Sequence, residues 1–192
     1  MKESRKFDPR SLDVLNSPER LGRENPDIIW RELDLKEPRV LVDIGAGTGF
    51  FAVPFARNSP SITVHACDLQ DEMLHWLREH LPEDVRTRII PVKMEERRVP
   101  LPDGIADLVY MINLHHELED RDAIMKECFR LLRPGGTVMV ADWKKGETPV
   151  GPPQEIRVTE QEIVADIEGA GFRDSKRHHV LPYHNFVTGK KP

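Results

Sequence analysis

Asp43-Ile44-Gly45-Ala46-Gly47-Thr48-Gly49-Phe50 carries the clearest chemical content in the chain. Glycines at alternate positions let a backbone approach a ligand closely. A dinucleotide fingerprint, G-x-G-x-x-G, would put its third glycine at position 50, where this chain has Phe50. The aspartate two residues before Gly45 adds a negative charge to the same turn. It would repel a pyrophosphate and attract an ammonium group, so the turn favours a ligand with a cationic amino-acid end over a dinucleotide. Further along, Asp68 closes a second apolar run. A carboxylate there can accept both hydroxyls of a ribose, or it can cap the segment Gln70–His80.

Asn113, Leu114, His115 and His116 end a fourth such run, Ala106–Leu114. A histidine at that place could act as a general base, since its unperturbed pKa is about 6.5. It could equally bond a loop carbonyl. Adjacent strand residues point to opposite faces, so of His115, His116 and Glu117 only the first and last would converge. Two ligands fall short of the three that a metal site usually takes, and no metal is expected. The remaining histidines are scattered, and His178 and His179 are expected at the surface. Asp142, Trp143, Lys144 and Lys145 follow a fifth apolar run and either line a pocket or form a polar loop.

These residues need a scaffold that brings strand ends together. Val40–Ile44, Ile62–Cys67, Ile89–Val92, Ala106–Leu114 and Thr137–Ala141 read as buried strands. Between them, Phe50–Arg57, the Met73/Leu74/Leu77 segment stopped by Pro82, and Ile124/Cys128/Leu131/Leu132 have helical spacing. The last of these stops at Arg133-Pro134-Gly135-Gly136. Thr159 with Glu162 forms a capping box before Ile163, Val164 and Ile167, and Gly169 and Gly171 close that helix. Two more strands are expected around Arg177–Leu181 and His184–Thr188. The alternation predicts an α/β fold, a doubly wound and mostly parallel sheet with helices on both faces. Ligands of such sheets bind outside the carboxyl ends of the strands, where the strand order reverses.

Residues 1–38 precede the alternation and read as an N-terminal helical extension to a domain spanning 39–192. A short helix is expected around Ser17–Trp30, with Leu21, Ile28, Ile29 and Trp30 on its apolar side. Phe7, Leu12 and Leu15 add to an apolar set too large for a solvated tail. With the sheet faces already covered, the extension is expected to form a lid on the carboxyl-end rim. Arg20 and Arg23 would lie on it, facing either solvent or an anionic ligand group.

The 192 residues bound this to one domain plus an appendage. A formal net charge of −5 argues against a dedicated nucleic-acid binder, which needs a cationic face. Two cysteines, Cys67 and Cys128, make no disulfide framework and suit reduced, buried thiols in a cytoplasmic setting. The first ten residues lack an apolar core, so no signal peptide is expected, and no run reaches the length of a membrane span. The assembly state, homodimer included, is open.

Taken together, DIGAGTGF at Asp43–Phe50, the acid at Asp68, VPLPDGIADLVYM at Val99–Met111 and LLRPGG at Leu131–Gly136 resemble the class I S-adenosylmethionine-dependent methyltransferases. The PLPD…DLV stretch and His-Glu-Leu at His116–Leu118 look like the ubiquinone/menaquinone-biosynthesis-type branch. The resemblance runs from about Val40 to Lys190. It implies S-adenosylmethionine as cofactor, a small-molecule methyl acceptor and a seven-stranded Rossmann-like sheet with an antiparallel last strand. It also implies that Asp43, Gly45, Ala46 and Gly47 hold the methionine end and Asp68 the ribose. Leu69, Met94, Glu95 and Glu96 would lie at the adenine, Glu95 facing its amino group, and Asn113 beside the reacting end. His116 would be the catalytic base if one is used, with the acceptor entering between the extension, His115–His116 and Asp142–Lys145. Two rival readings are an NAD(P)-binding oxidoreductase on the same scaffold and a non-catalytic cofactor-binding module.

Overall fold

The computed structural model describes residues 15–192. A 3-10 turn, Pro18–Gly22, is followed by α1 (Pro26–Leu33) and then by an alternation of strands and helices: β1 (Val40–Ile44), α2 (Ala52–Arg57), β2 (Thr63–Asp68), α3 (Asp71–His80), β3 (Ile89–Lys93) and β4 (Ala106–Ile112). After a 3-10 turn at His115–Glu117 come α4 (Arg121–Leu131), β5 (Leu132–Trp143), α5 (Glu160–Gly169), β6 (Arg173–His178) and β7 (His184–Lys190). The seven strands form one sheet in the order β3-β2-β1-β4-β5-β7-β6. β7 runs antiparallel to both β5 and β6, and the other pairings are parallel. The order reverses between β1 and β4, so the carboxyl ends of those strands flank the expected binding crevice.

Strand alternation sorts the core onto two faces. Leu41, Leu108 and Tyr110 point to one side, where they meet Phe55 of α2 and Ile29 of α1. Val42, Ile44, Val109 and Met111 point to the other, against Cys128 and Leu131 of α4 and Ile163 and Ile167 of α5. Each fully buried side chain of this size contributes about 1.5–3 kcal/mol. The central strands are covered on both faces, which is why they read as continuous apolar runs. Both cysteines are free and buried.

Several boundaries differ from expectation. The Ser17–Trp30 helix is broken, because Asn25 caps a new helix with Pro26 at its first position. Leu21 and Ile28 are consequently exposed, while Ile29 is buried. The helix stops at the Arg133–Gly136 signal as expected, α4 ending at Leu131, but β5 begins at Leu132 and not at Thr137, with Gly135 N donating to Lys191 O and Lys191 N to Gly136 O. β6 begins at Arg173, before the expected Arg177. His178 is buried, not at the surface: it sits at the end of β6 and bonds Glu32 of α1 and Thr188 of β7.

Candidate functional site

β1 delivers Asp43 to the centre of the sheet, in register with Tyr110 of β4. The chain then turns at Gly45, whose φ of +74° is a conformation that side chains other than glycine rarely adopt. A Cβ there would also meet the Leu114 side chain at 2.8 Å. Gly45 N and Ala46 N both donate to Cys67 O at the end of β2. Gly47 N donates to Asp68 Oδ2 at 2.8 Å, and Gln70 N to Asp68 Oδ1 at 2.9 Å. Asp68 thus braces the glycine turn, and Gln70, not Asp68, is the N-cap residue of α3. Burial raises the Asp68 pKa against those backbone bonds.

Asp43 is almost completely buried. Burial pushes its pKa up to about 8, with the Tyr110 phenol and the Arg20 charge opposing the shift and Asp68 adding to it. The group is therefore mostly protonated at neutral pH, and a cation beside it would restore its charge.

A cavity of about 450 Å³ opens along this edge. Asp43, Gly45, Ala46, Gly47, Asp68, Leu69, Met94, Glu96, Asn113 and His116, all expected from sequence, line it. Glu95 does not: its backbone N bonds Arg98 O in a tight turn and its side chain is exposed, leaving Glu96 on the cavity side. His115 is also not brought to the wall; it is fully buried and its Nε2 lies 2.9 Å from Asp166 of α5. Of Asp142–Lys145, Trp143 lines the cavity, whereas Lys144 Nζ is held by Leu181 O and Pro182 O. Val150, Gly151 and Pro152 complete this side.

His116 is fixed from behind. Its Nδ1 lies 2.7 Å from Asp142 Oδ1, and its backbone N donates to Asp142 Oδ2 at 2.9 Å. Burial pulls its pKa down, but the bond to Asp142 and the charges of Asp142 and Glu117 together outweigh this and the net shift is upward. Nδ1 is occupied, so Nε2 is the nitrogen left for chemistry; Glu117 Oε1 stands 3.9 Å from it.

The N-terminal segment supplies Leu15, Arg20, Arg23 and Glu24 to the same cavity, while α1 beyond it packs on α2 through Trp30 and Phe55, 5.3 Å apart. Phe7 and Leu12 lie outside the described residues. Glu24 had no sequence signal beyond its spacing from Arg20, yet it is a hub. It is buried, pairs with Arg20, accepts from Asn113 Nδ2 at 2.5 Å and lies 3.3 Å from His184 Nε2. Burial pushes its pKa up, but the His184 bond and the Arg20 charge prevail and hold it at about 2. His184, also unsignalled, stands against Trp143 with ring centroids 4.4 Å apart. Arg157 was equally silent. It bonds Pro152 O, Lys144 O and Gly146 O, and it holds the connector that forms the outer wall.

Thr48 Oγ1, Asn113 Oδ1 and Arg23 Nε, all of cavity-lining residues, are buried with no hydrogen-bond partner among the described residues. Acceptors (Asp43, Asn113) beside donors (Thr48, Arg23) suit a zwitterion, and the apolar Leu69 and Met94 beyond Asp68 suit a flat base. This donor set fits S-adenosylmethionine. No group of three or more potential metal ligands occurs among the described residues.

Sequence and structure comparisons agree with that fit. Residues 42–140 match the family described as the methyltransferase domain, and the chain belongs to this family. Its relatives include class I S-adenosylmethionine-dependent enzymes. A crystal structure of a SAM-dependent methyltransferase from Aquifex aeolicus is 32% identical, with a TM-score of 0.89 over 96% of this chain and 98% of that one. The C-methyltransferase UbiE of ubiquinone/menaquinone biosynthesis from Cupriavidus metallidurans is 30% identical over 64% of this chain and 52% of its own length. The methyltransferase GfsG from Streptomyces halstedii is 28% identical over 70% of this chain and 48% of its own. The chain spans about half the length of these curated relatives. No helix among the described residues is long and apolar enough to cross a membrane.

Proposed function

We propose that this chain transfers a methyl group from S-adenosylmethionine to a small-molecule acceptor. The observation that carries this reading is the cavity at the β1/β4 switch, where the braced glycine turn, Asp68 and the partnerless polar atoms of Thr48 and Asn113 converge. When bound, S-adenosylmethionine supplies a methyl group on a sulfonium, already activated for displacement. The residues then have separate tasks. Asp43 and the Gly45–Gly47 backbone hold the amino-acid end, Asp68 takes the ribose hydroxyls, and Leu69, Met94 and Glu96 flank the adenine. Residues 15–24 cover the cavity and exclude water. His116 Nε2 accepts the acceptor's proton, while Asp142 fixes the ring and stabilises its cationic form.

Calorimetry tests the cofactor assignment: S-adenosylmethionine and S-adenosylhomocysteine should bind, and NAD should bind at least tenfold more weakly. Equal or tighter NAD binding would overturn it. Radiolabelled methyl transfer across a panel of hydroxyl, amine, thiol and carbon acceptors then tests turnover. For a hydroxyl acceptor, His116→Asn should lower kcat by roughly 10²–10⁴, the usual range for a positioned base. S-adenosylhomocysteine affinity should stay within about twofold of wild type, since His116 acts on the acceptor. A variant with full turnover would remove His116 from the chemistry and leave positioning as the source of rate.

A further inference from the structure

Arg23 lines the cavity with its Nε buried and, among the described residues, without a hydrogen-bond partner. Its neighbours are already engaged. Arg20 bonds Glu24 and Leu15 O and stacks on Phe50, 4.1 Å from the ring centroid. Glu24 is taken by Arg20, Asn113 and His184. Glu19, the acid one turn earlier, accepts from Ser17 Oγ. Among the described residues no acid bonds Arg23 directly; Glu19 feels its charge only through space.

An arginine fork carries a positive charge and five donors in one plane, a geometry that matches a carboxylate through two parallel bonds. Leaving a buried donor unmade is costly, and no group among the described residues accepts from this one. We propose that Arg23 is a carboxylate-binding residue of this cavity, so that a ligand seated there brings a carboxylate to its guanidinium. This rests on the methyltransferase reading of the site. The carboxylate has two sources: the amino-acid end of the cofactor, or an acidic acceptor.

Calorimetry with wild type, Arg23→Gln and Arg23→Lys separates them. The first probes are S-adenosylmethionine and its decarboxylated counterpart, which differ by one carboxylate. If the cofactor is the source, Arg23→Gln weakens S-adenosylmethionine about tenfold or more, the size expected for a charged hydrogen bond, and leaves the decarboxylated form unchanged. Arg23→Lys then recovers part of the loss. If the acceptor is the source, both cofactor forms bind Arg23→Gln as they bind wild type. In protein saturated with S-adenosylhomocysteine, wild type then prefers benzoate and hexanoate to their amides, and Arg23→Gln loses that preference. The proposal is overturned if Arg23→Gln matches wild type in both comparisons. Wild type binding neither nucleoside would strike down the methyltransferase reading itself, and this proposal with it.

Discussion

The two ends of the cavity are built by different means. At the glycine-turn end, the groups that meet a ligand are backbone atoms and strand-end carboxylates set by neighbouring strands. Gly45 and Ala46 hang on Cys67 O, and Gly47 on Asp68. At the opposite end, the wall is assembled from segments 15–24, 113–118 and 142–152, far apart in sequence and joined by side chains. Glu24 joins the first to the second through Asn113, Asp142 joins the second to the third through His116, and Arg157 folds the third onto Trp143. A site carried by backbone geometry is insured by the fold. A site carried by side-chain knots stands or falls with single residues, and it is also the part that can be rebuilt to suit a different acceptor.

The largest expected effect lies in the knot at Glu24. Glu24→Ala would leave Arg20 and His184 buried without their carboxylate. Breaking a buried charge pair costs about 3–5 kcal/mol. At about 2–4 °C per kcal/mol for a chain of this size, the melting temperature should fall by roughly 6–20 °C. Acid titration gives a second reading of the same knot. The Glu24 pKa is lowered from an ordinary 4.5 to about 2, so its stabilisation is complete above pH 4.5 and fades as pH falls toward 2. Wild type should lose stability across that window, and Glu24→Gln should lose less. A melting temperature unmoved by Glu24→Ala would mean that the N-terminal segment is held by packing alone.

Asp68 at the other end comes next. Asp68→Ala removes the brace on Gly47 N and the acceptor for a ribose. Charged hydrogen bonds contribute about 1.5–3 kcal/mol, so S-adenosylhomocysteine affinity should drop by at least tenfold. The protein should stay folded, because the sheet pairings of β2 are backbone bonds. Unchanged affinity would leave the residue a brace and nothing more.

This contrast also explains what the sequence made legible. The sheet, its two helix layers and the glycine-turn end follow from local signals: apolar runs, a D-x-G-x-G-x-G spacing and an acid at a strand end. A strand boundary slipped where tertiary pairing began the next strand directly after a helix stop that held. Arg133–Gly136 carries every mark of a turn, yet Lys191 pairs with it and extends β5. Glu95 and Glu96 cannot be told apart by spacing once a tight turn at Arg98 decides which side chain faces in. Glu24, His184 and Arg157 were silent because nothing in their local sequence encodes a partner 89, 160 or 13 residues away. His178 was misplaced for the same reason, since its partner Glu32 belongs to α1, 146 residues distant.

Asp43 provides a milder test of the glycine-turn end. With a pKa near 8 before ligand arrives, it must lose its proton to pair with an ammonium group. Binding should release a proton near neutral pH, and the affinity for S-adenosylmethionine should rise about tenfold per pH unit up to about pH 8. Buffers of different ionisation enthalpy would reveal the proton in the observed heat. The folded state runs the opposite way. An acid whose pKa is raised on folding binds protons more tightly than the unfolded chain, so Asp43 erodes stability as pH climbs from 3.8 toward 8. Asp43→Asn should remove both pH dependences together, and losing only one would separate the stability role from the binding role.

The smallest expected effect is at Arg157, and it distinguishes the two ends most sharply. Its guanidinium binds Pro152 O at 2.8 Å and both Lys144 O and Gly146 O at 3.0 Å. It thereby closes the connector into a loop whose inner surface is Val150, Gly151 and Pro152. The fit is tight: Gly151 has φ of +124°, and a Cβ there would stand 2.9 Å from the Trp143 ring. Arg157→Lys keeps the charge but replaces a planar fork by a point donor that cannot reach all three carbonyls in the same geometry. The loss should be about 1 kcal/mol, that of an ordinary hydrogen bond or two. It should appear as faster amide hydrogen exchange across residues 146–152 and as greater quenching of Trp143 by acrylamide, the other two tryptophans having been replaced by phenylalanine. S-adenosylhomocysteine affinity should stay within about twofold, because none of these contacts reaches the glycine turn or Asp68. If cofactor affinity fell with loop protection, the two ends would be one cooperative unit and the division drawn between them would fail.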